Sequence, residues 1–427
     1  MRHNTTYIIN QIKRLVLLLF ILSSVSAKGQ MLSLDSILKA IEVNHPLLKK
    51  YDAKIQAYNN YASGAKALDP PQVGAGFFMT PYNPEMWRSD EMTGSEGMGS
   101  FMISAQQMFM SRKKLNANEK YMQSMADADK EMKSAMRNEI FSMAKMNYYE
   151  WLMMKKKLQL LDQSEELLKY ILKSAEIRYT YGMDKLNAYY KAKAMLGDNE
   201  NMRLMVQFEI QRKIIALNTL MVRKSELVFD IDTIYIIRNY EQLPTDTNML
   251  ANKRSDFKFL NQNINVLKAK QNYERSKLRP DFGIKYDHMV PFGTQPKQFS
   301  LMAMITIPIV PWSSAMYKSS VAALNYEIQS VKYEQQSLVN NAVGELESIK
   351  EQIRQKKMQI GLYEKNIIPS MIKNYQTELI AYEQNKEELF MVLDAWQNLK
   401  TVQFALYDLI NELLLLQVNY ERELEIN

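Results

Sequence analysis

Hydrophobic positions recur at helical spacing over most of the chain, in stretches that contain few helix breakers. Between Ser111 and Tyr181 there is neither Pro nor Gly. The pattern therefore predicts one helix of about 70 residues, which would be ~105 Å long at 1.5 Å per residue. A second long helix is predicted to begin after Pro311 and to continue to about Tyr382. Helices of this length exceed what a compact domain can contain and indicate long coiled-coil helices.

Four short stretches alternate instead between apolar and polar residues, as strands do. They are 73–80, 100–110, 282–290 and 299–310. In the stretch DFGIKYDHMV, Phe282, Ile284 and Tyr286 belong to one face of the predicted strand. Lys285 and Asp287 belong to the other face. The chain therefore combines long helices with strands that are apolar on one side.

The two halves of the chain repeat one plan of helix, strand, strand, helix and helix, which indicates an internal duplication. Gly182 and Asn385 occupy equivalent positions at the predicted helix reversals, and Ala192 and Ala395 follow ten residues after each. Gly and Asn are the residues that most readily adopt the left-handed backbone of a tight turn. The predicted divisions are a signal peptide over 1–27, a first repeat over 28–225 with a hairpin at 73–110, a linker with a short strand over 226–248, and a second repeat over 249–427 with a hairpin at 282–310.

The N-terminus has the features of a secretory signal peptide. Lys13 and Arg14 precede the apolar run LVLLLFIL, which is too short to span a membrane easily, and VSA at 25–27 offers a cleavage site. The formal net charge is +7, and cleavage after Ala27 would remove three of the cations. Export and the reduced charge both argue against a nucleic-acid partner.

The composition excludes several kinds of site. There is no Cys, so a disulfide framework, a thiolate metal site and a lipidated N-terminus are not expected. The motifs GxxxxGK[ST], GxSxG and HExxH are absent, and no two of the three His residues suggest a metal pair on one helix. The sequence predicts a protein that is not an enzyme and that has no cofactor and no resident metal.

The strands suit a membrane β-barrel, because strands of ~9–11 residues with one apolar face span a bilayer. A small soluble β-subdomain that caps a coiled coil is the alternative. A membrane tolerates no open sheet edge, and four strands cannot close a barrel, so the barrel requires three protomers and twelve strands. Lys285 and Asp287 would then face a water-filled lumen, and the apolar face would contact outer-membrane lipid.

Three stretches resemble the TolC family of outer-membrane efflux proteins. They are LSLDSILKAIEVNHPLLKKYDAKI, AEIRYTYGMDKLNAYYKAKA and IIPSMIKNYQTELIAYEQNKEELFMVLDAWQNL. The resemblance implies a mainly α fold with a membrane β-barrel of four strands per protomer, closed in a homotrimer and continued as a helical tunnel across the periplasm. It implies an outer-membrane channel of a tripartite efflux system, which exports small molecules or metal ions with a periplasmic adaptor and an inner-membrane pump, an RND-type pump being favoured. AQQMFMSRKK and IIPSM resemble the heavy-metal branch of the family.

The resemblance also implies roles at the periplasmic aperture. Asp394, in the motif VLDA, matches a ring of carboxylates that narrows the aperture, whereas the second ring position is Met391 and a family basic residue is replaced by Glu387. Tyr382 and Tyr179 match the aromatic residue that latches the tip. Three Asp394 carboxylates would converge and attract cations. The alternative is an ordinary solvated helix charge, which we favour for Glu387.

Methionine is abundant, with 30 residues. Seven of them lie between Met79 and Met110, around the first hairpin, and the sequence leaves open whether their thioethers bind metal. Another set recurs at helical spacing and predicts a packing stripe. Its members are Met122, Met125, Met132, Met136, Met143 and Met146.

Three classes of function are compatible with these features: a passive export duct, a structural coiled-coil protein of the envelope without a pore, and an exported enzyme on a helical scaffold. The paired amphipathic strands favour the duct, since a structural rod has no use for them. The absence of a catalytic motif argues against the enzyme.

Overall fold

The computed structural model of the protein describes residues 30–92, 94–183, 185–240 and 247–426; the predicted signal peptide lies outside these ranges. The helices are α1 (Leu34–Asn44), α2 (Pro46–Gly64), α3 (Arg112–Thr180), α4 (Leu186–Leu220), α5 (Thr247–Lys253), α6 (Ser255–Ser276), α7 (Pro311–Leu362), α8 (Ile368–Glu383) and α9 (Leu389–Leu424). The strands are β1 (Gln30–Leu32), β2 (Gln72–Phe78), β3 (Ser100–Phe109), β4 (Phe229–Ile231), β5 (Asp281–Pro291) and β6 (Gln298–Thr306). Over the described ranges, none of the helices has an apolar stretch long enough to cross a membrane.

The long helices are present nearly as predicted. Helix α3 is a single helix of 69 residues, within one residue of the predicted limits at both ends. The second predicted long helix is helical throughout but contains a π-helical turn, Tyr363–Ile367, between α7 and α8. Pro369 follows this turn, and its missing N–H interrupts the α-helical hydrogen-bond ladder. A π turn is a common way for a helix to accommodate such an interruption.

Two shorter helical predictions were wrong in detail. The predicted helix 32–68 is divided into α1 and α2, because Pro46 cannot donate to the helix that precedes it and instead begins a new one. His45 between them has an extended backbone. The predicted helix 249–278 is likewise divided into α5 and α6, with Arg254 in an extended conformation at the break.

The four predicted strands form one antiparallel sheet. Its order is β2, β3, β5 and β6, so each hairpin keeps its own pair of strands and the two hairpins join through β3 and β5. In that central pair Gln106 lies opposite Lys285 and Ser104 lies opposite Asp287. Strands β2 and β6 are the outer strands of this sheet.

A second, smaller sheet pairs β1 with β4 in parallel, with Met31 opposite Asp230. Strand β4 is the short strand that the sequence predicts within the segment 226–248. Strand β1 was not predicted, because an alternating pattern of only three residues does not identify a strand when its partner strand is unknown.

Contacts between residues divide the chain into two compact units. The first contains residues up to Pro46, Arg137–Pro244 and Glu345–Asn427, and the second contains Leu47–Met136 and Thr245–Gly344. The first unit holds the β1–β4 sheet and both helix reversals, and the second holds the four-stranded sheet. Each unit takes segments from both halves of the chain, so the units do not coincide with the predicted repeats, whose limits stay a prediction.

The methionine stripe on α3 differs from the packing prediction. Its members are only half-buried, and Met143 is exposed to 42%. The buried positions in this part of α3 are occupied by other residues, namely Ala126, Ala128, Ile140, Phe141 and Ala144. The stripe therefore borders the core of the protomer and does not form it.

Candidate pore-lining sites

The four-stranded sheet, which lies within the second unit, has two chemically distinct faces. The strand register places mainly glycine, glutamine, serine and methionine on one face, together with three charged residues. Its members are Gln72, Gly74, Gly76, Phe78, Ser100, Met102, Ser104, Gln106, Met108, Asp281, Gly283, Lys285, Asp287, Met289, Pro291, Gln298, Ser300, Met302, Met304 and Thr306. The other face is aliphatic and aromatic apart from Gln107 and His288. We call the first the polar face and the second the apolar face.

Lys285 and Asp287 lie together on the polar face. The Lys285 ammonium is 3.1 Å from the Asp287 carboxylate, whose side chain is only 5% exposed. Asp287 has Ser104 opposite on β3 and Ser300 opposite on β6. The central part of this face is therefore hydrophilic and includes a paired charge.

The apolar face is open in the single protomer. Phe282 is 59% exposed, Ile284 51% and Tyr286 43%. The outer strands show the same feature, with Val73 on β2 and Phe299 on β6 each exposed to more than 70%. An exposed apolar surface that extends over a whole sheet indicates a buried environment in the assembled protein, whether partner or lipid.

The two helix reversals lie in the first unit and have the backbone that the sequence predicts. Gly182 has φ of 70° and Asn385 has φ of 59°, so both are left-handed. Ala192 and Ala395, ten residues later, are both buried in one hydrophobic cluster. The equivalence that the sequence suggests between these positions thus extends to their local structure.

Tyr382 and Tyr179 have different surroundings despite their equivalent positions. Tyr382 is 4% exposed and belongs to the hydrophobic cluster at the reversals, whereas Tyr179 is 45% exposed. The Arg178 guanidinium stacks over the Tyr382 ring at 4.4 Å from its centroid and also donates to the Asn385 side chain. Arg178 thus connects the first reversal to the second, a role that the sequence pattern did not reveal.

A salt bridge provides a second connection between the reversals. Lys185 precedes α4 and Glu388 precedes α9, and their charged atoms are 2.7 Å apart. The hydrogen bond that Lys185 donates to Glu388 raises the pKa of Lys185. Both side chains are more than two-thirds exposed, so the bridge contributes little stability and mainly favours one alignment of the two turns.

The predicted aperture residues lie along one exposed stripe of α9 and the turn before it. Glu387, Met391 and Asp394 are all exposed, and Asn398 and Thr401 continue the stripe at heptad spacing. The residues between them, including Val392, Leu393 and Trp396, are buried. Within the protomer Asp394 accepts a hydrogen bond from Asn398.

Lys191 stands at the position of the first repeat that is equivalent to Asp394, one residue before the matching alanine. Its ammonium lies 3.1 Å from the centroid of the Phe390 ring. The two equivalent positions therefore carry opposite charges. The aromatic contact holds Lys191 against α9, whereas Asp394 is exposed.

A buried ionic network fixes the segment after β4 to two long helices of the first unit. Glu421 on α9 accepts from Lys145 on α3 at 2.7 Å and from Arg238 at 3.0 Å, and the Tyr240 hydroxyl donates to the same carboxylate. Burial and the bond to Glu421 raise the pKa of Tyr240. Tyr240 stacks on Tyr420 with 4.8 Å between ring centroids.

The usual oxygen and nitrogen ligands of metal ions are Asp, Glu and His side chains. Over the described ranges, no group of three or more His, Asp or Glu side chains is arranged to hold a metal ion. The polar face of the sheet and the charged residues at the helix reversals are the candidate contacts for a solute.

Comparisons with known proteins agree with this architecture. Residues 37–221 match the family model described as Outer membrane efflux protein, whereas no curated relative matches the chain. The outer-membrane channel OprN has a TM-score of 0.73 at 11% identity, with 92% of this chain and 89% of that one covered. The outer membrane protein VceC from Vibrio cholerae has 0.71 at 16% identity, covering 92% and 95%, and CusC has 0.71 at 14% identity, covering 94% and 95%.

The structural matches show the fold, since their identities are low, and the family model adds a sequence similarity to outer membrane efflux proteins over residues 37–221. The resemblance that the sequence motifs suggested is thereby confirmed. Over residues 37–221 the chain is similar to the outer membrane efflux proteins, and over most of its length it has the fold of solved outer-membrane channels.

Proposed function

We propose that the protein is the trimeric outer-membrane duct of a tripartite export system. The observation that carries this proposal is the four-stranded sheet, which has an exposed apolar face and a polar face. Its outer strands, β2 and β6, each pair on one side only among the described residues, so each leaves one edge open. Unpaired strand edges cannot persist in lipid. Three copies would supply twelve strands and pair every edge.

Fractionation and electrophoresis test the assembly. The mature protein should fractionate with the outer membrane and should migrate as a trimer that heating dissociates. A soluble monomer that is monodisperse without detergent would contradict the barrel, because the apolar face would then be exposed to water.

The assignment of the two faces can be tested chemically, since the chain has no Cys and labelling would have no background. Lys285→Cys and Asp287→Cys should react with a membrane-impermeant thiol reagent added outside the cell. Ile284→Cys and Tyr286→Cys, on the same strand, should react poorly because their side chains would face lipid. The reverse pattern would mean that the polar face is turned to the lipid.

We propose further that the exposed stripe with Glu387, Met391 and Asp394 lines the periplasmic aperture. Tyr382, held by Arg178, and the exposed Tyr179 lie beside the reversals at Gly182 and Asn385, where a periplasmic adaptor would dock. This proposal is supported by the exposure of the stripe and by the match of Asp394 to the family motif. It predicts that charge at Asp394 controls ion conduction.

The partner would be a periplasmic adaptor with an inner-membrane pump, and an RND-type pump is the favoured class. Cross-linking in cells through a photoreactive residue at Tyr179 should capture an adaptor subunit, whereas the same probe at exposed Tyr61 on α2 should not. The cargo, small molecules or metal ions, can be identified by testing a deletion strain against copper, zinc, cobalt, bile salts and dyes. A strain that remains as resistant as its parent to all of these would exclude them as cargo.

A further inference from the structure

All methionines in the four-stranded sheet lie on its polar face. They are Met102, Met108, Met289, Met302 and Met304. The apolar face is built instead from Val, Ile, Leu, Ala, Phe and Tyr, with Gln107 and His288 as its polar exceptions, and it contains no Met. If methionine served here only as an apolar filler, it should occur on the apolar face as well. Its restriction to the face with Lys285 and Asp287 indicates a use for the thioether itself.

Two of these methionines converge over a glycine. Gly283 on β5 lies opposite Met108 on β3 and opposite Met304 on β6. A Cβ at Gly283 would collide with the Met108 sulfur and would lie 3.3 Å from the Met304 methyl group. The missing side chain of Gly283 therefore leaves a space that thioethers from both flanking strands occupy. The Gln107 carbonyl oxygen lies 3.2 Å from the same point.

We propose that Met108 and Met304 form a thioether site for a soft monovalent metal ion of the Cu(I) or Ag(I) type. Thioether sulfur prefers such ions, whereas hard divalent ions prefer carboxylate and water oxygens. The proposal rests on the proposed function, because it takes the polar face as the lining of the duct.

The charged side chains near the site favour a soft metal ion over a hard one. Asp281 is the nearest acid along β5, and its carboxylate is already engaged by Lys114, at 2.5 Å, and by the Ser111 amide, at 3.2 Å. Lys285 is paired with Asp287. Both carboxylates of β5 are therefore engaged, while the Met108 and Met304 side chains lie directly against Gly283 as candidate ligands.

A site of two thioethers binds a metal ion only weakly, and weak binding is compatible with transport through a duct. A lining that conducts an ion must bind it well enough to admit it and weakly enough to release it. The site would then act as a contact for passing metal and not as a resident metal centre.

Silver binding to the purified full-length protein in detergent tests the proposal. Ag⁺ would be titrated calorimetrically in chloride-free buffer into wild type, into the Met108→Leu/Met304→Leu double variant and into Met302→Leu. Leucine keeps the volume and the apolar character and removes only the sulfur. Met302 is the matched control because it lies on the same strand and face as Met304 but opposite the ammonium of Lys285.

Wild type and Met302→Leu should share a class of sites with about one Ag⁺ per protomer, and the double variant should lose that class. Gly283→Ala keeps both sulfurs but displaces them, and it should weaken the same class roughly tenfold or more. If the double variant binds Ag⁺ as wild type does, the site is not at Gly283.

A measurement on the wild-type protein avoids any effect of mutation on assembly. Ag⁺ should protect Met108 and Met304, but not Met302, from oxidation by peroxide, as read by mass spectrometry of peptides. Equal oxidation with and without Ag⁺ would overturn the proposal. The proposed duct is tested separately: if it is wrong, the wild-type protein should form no channels in planar bilayers. The silver-binding results could still be interpreted in that case.

Discussion

Glu421 is the acceptor at the centre of a buried ionic network in the first unit. Glu421 is 8% exposed, and its carboxylate accepts hydrogen bonds from Lys145, Arg238 and Tyr240. Lys145 is itself 7% exposed. A buried ammonium is tolerable only beside an opposite charge, because removing it from water is costly. The network therefore attaches the segment after β4 to both α3 and α9.

The variant Glu421→Ala should lower the free energy of unfolding of the first unit by ~3–5 kcal/mol, because it leaves Lys145 buried without this carboxylate. The fall can be measured as a decrease in the unfolding midpoint in detergent. Glu412→Ala, on the same helix, is the control: its ion pair with Lys356 is on the surface, with Glu412 52% exposed, so its effect should stay within ~1 kcal/mol. Equal midpoints for the two variants would mean that the Glu421 network is dispensable.

Tyr148 should make stability depend on pH in the alkaline range. Burial raises its pKa from 10.0 to about 12. Below pH 10 the stabilisation is complete; above it the unfolded chain ionises while folded Tyr148 keeps its proton, so stability falls as the pH rises towards about 12. The thermal midpoint of Tyr148→Phe should decline less steeply over this interval than that of wild type. Tyr61→Phe, at a side chain that is 63% exposed, should follow wild type.

Residue types and spacing predicted some of these sites and could not predict others. Gly182 and Asn385 could be found because a left-handed turn restricts the residue type locally. Arg178 and Glu421 could not, since their partners are 207 and 276 residues away in the sequence, respectively. A charge on a helix has the same sequence signature whether it is solvated or buried against a distant partner.

At the scale of elements, the first helix reversal combines a left-handed backbone at Gly182 with open surroundings. Nothing lies within 4 Å of a Cβ built on Gly182, whose φ is 70°. Any cost of a side chain there must therefore come from the backbone and not from a clash. Gly197, in the interior of α4, has equally open surroundings, and no left-handed φ is found there.

These two glycines provide a matched pair of substitutions. Gly182→Ala should destabilise the protein by ~1–2 kcal/mol, because a Cβ disfavours the left-handed conformation. Gly197→Ala should stabilise it by ~0.5–1 kcal/mol, because alanine loses less entropy in a helix. Hydrogen exchange should rise at residues 178–188 in the first variant only. Two substitutions that shift stability in the same direction would show that the Gly182 backbone is not a constraint.

The elements themselves were largely predictable from pattern. Helix α3 contains no breaker between its ends, and β5 alternates over its whole length, so local rules fixed both. The division at Pro46 could have been predicted from the same rules, since proline begins helices more readily than it continues them. The pairing of β1 with β4 could not, because three residues form a strand only beside a partner that lies 199 positions away.

At the scale of the whole molecule, each exposed residue of the protomer occurs three times in a trimer. A single exposed carboxylate on a helix is a weak electrostatic feature. Three related carboxylates around one narrow opening would add their potentials, and surrounding protein of low polarity would strengthen the field. Asp394 has the exposure that such a ring requires. Lys191, at the equivalent position of the other repeat, contacts Phe390 and would offset part of the negative potential.

Asp394→Ala should therefore reduce cation selectivity in planar bilayers and weaken block by multivalent cations, because it removes three carboxylates from the aperture at once. Lys191→Ala should shift selectivity in the opposite direction. Asp408→Ala, which removes the same charge from the same helix but at a residue already paired with Lys157, should resemble wild type. If Asp394→Ala and Asp408→Ala conduct alike, Asp394 is an ordinary surface charge. The aperture would then have to be formed by other residues, of which Met391, on the same exposed stripe, is the next candidate.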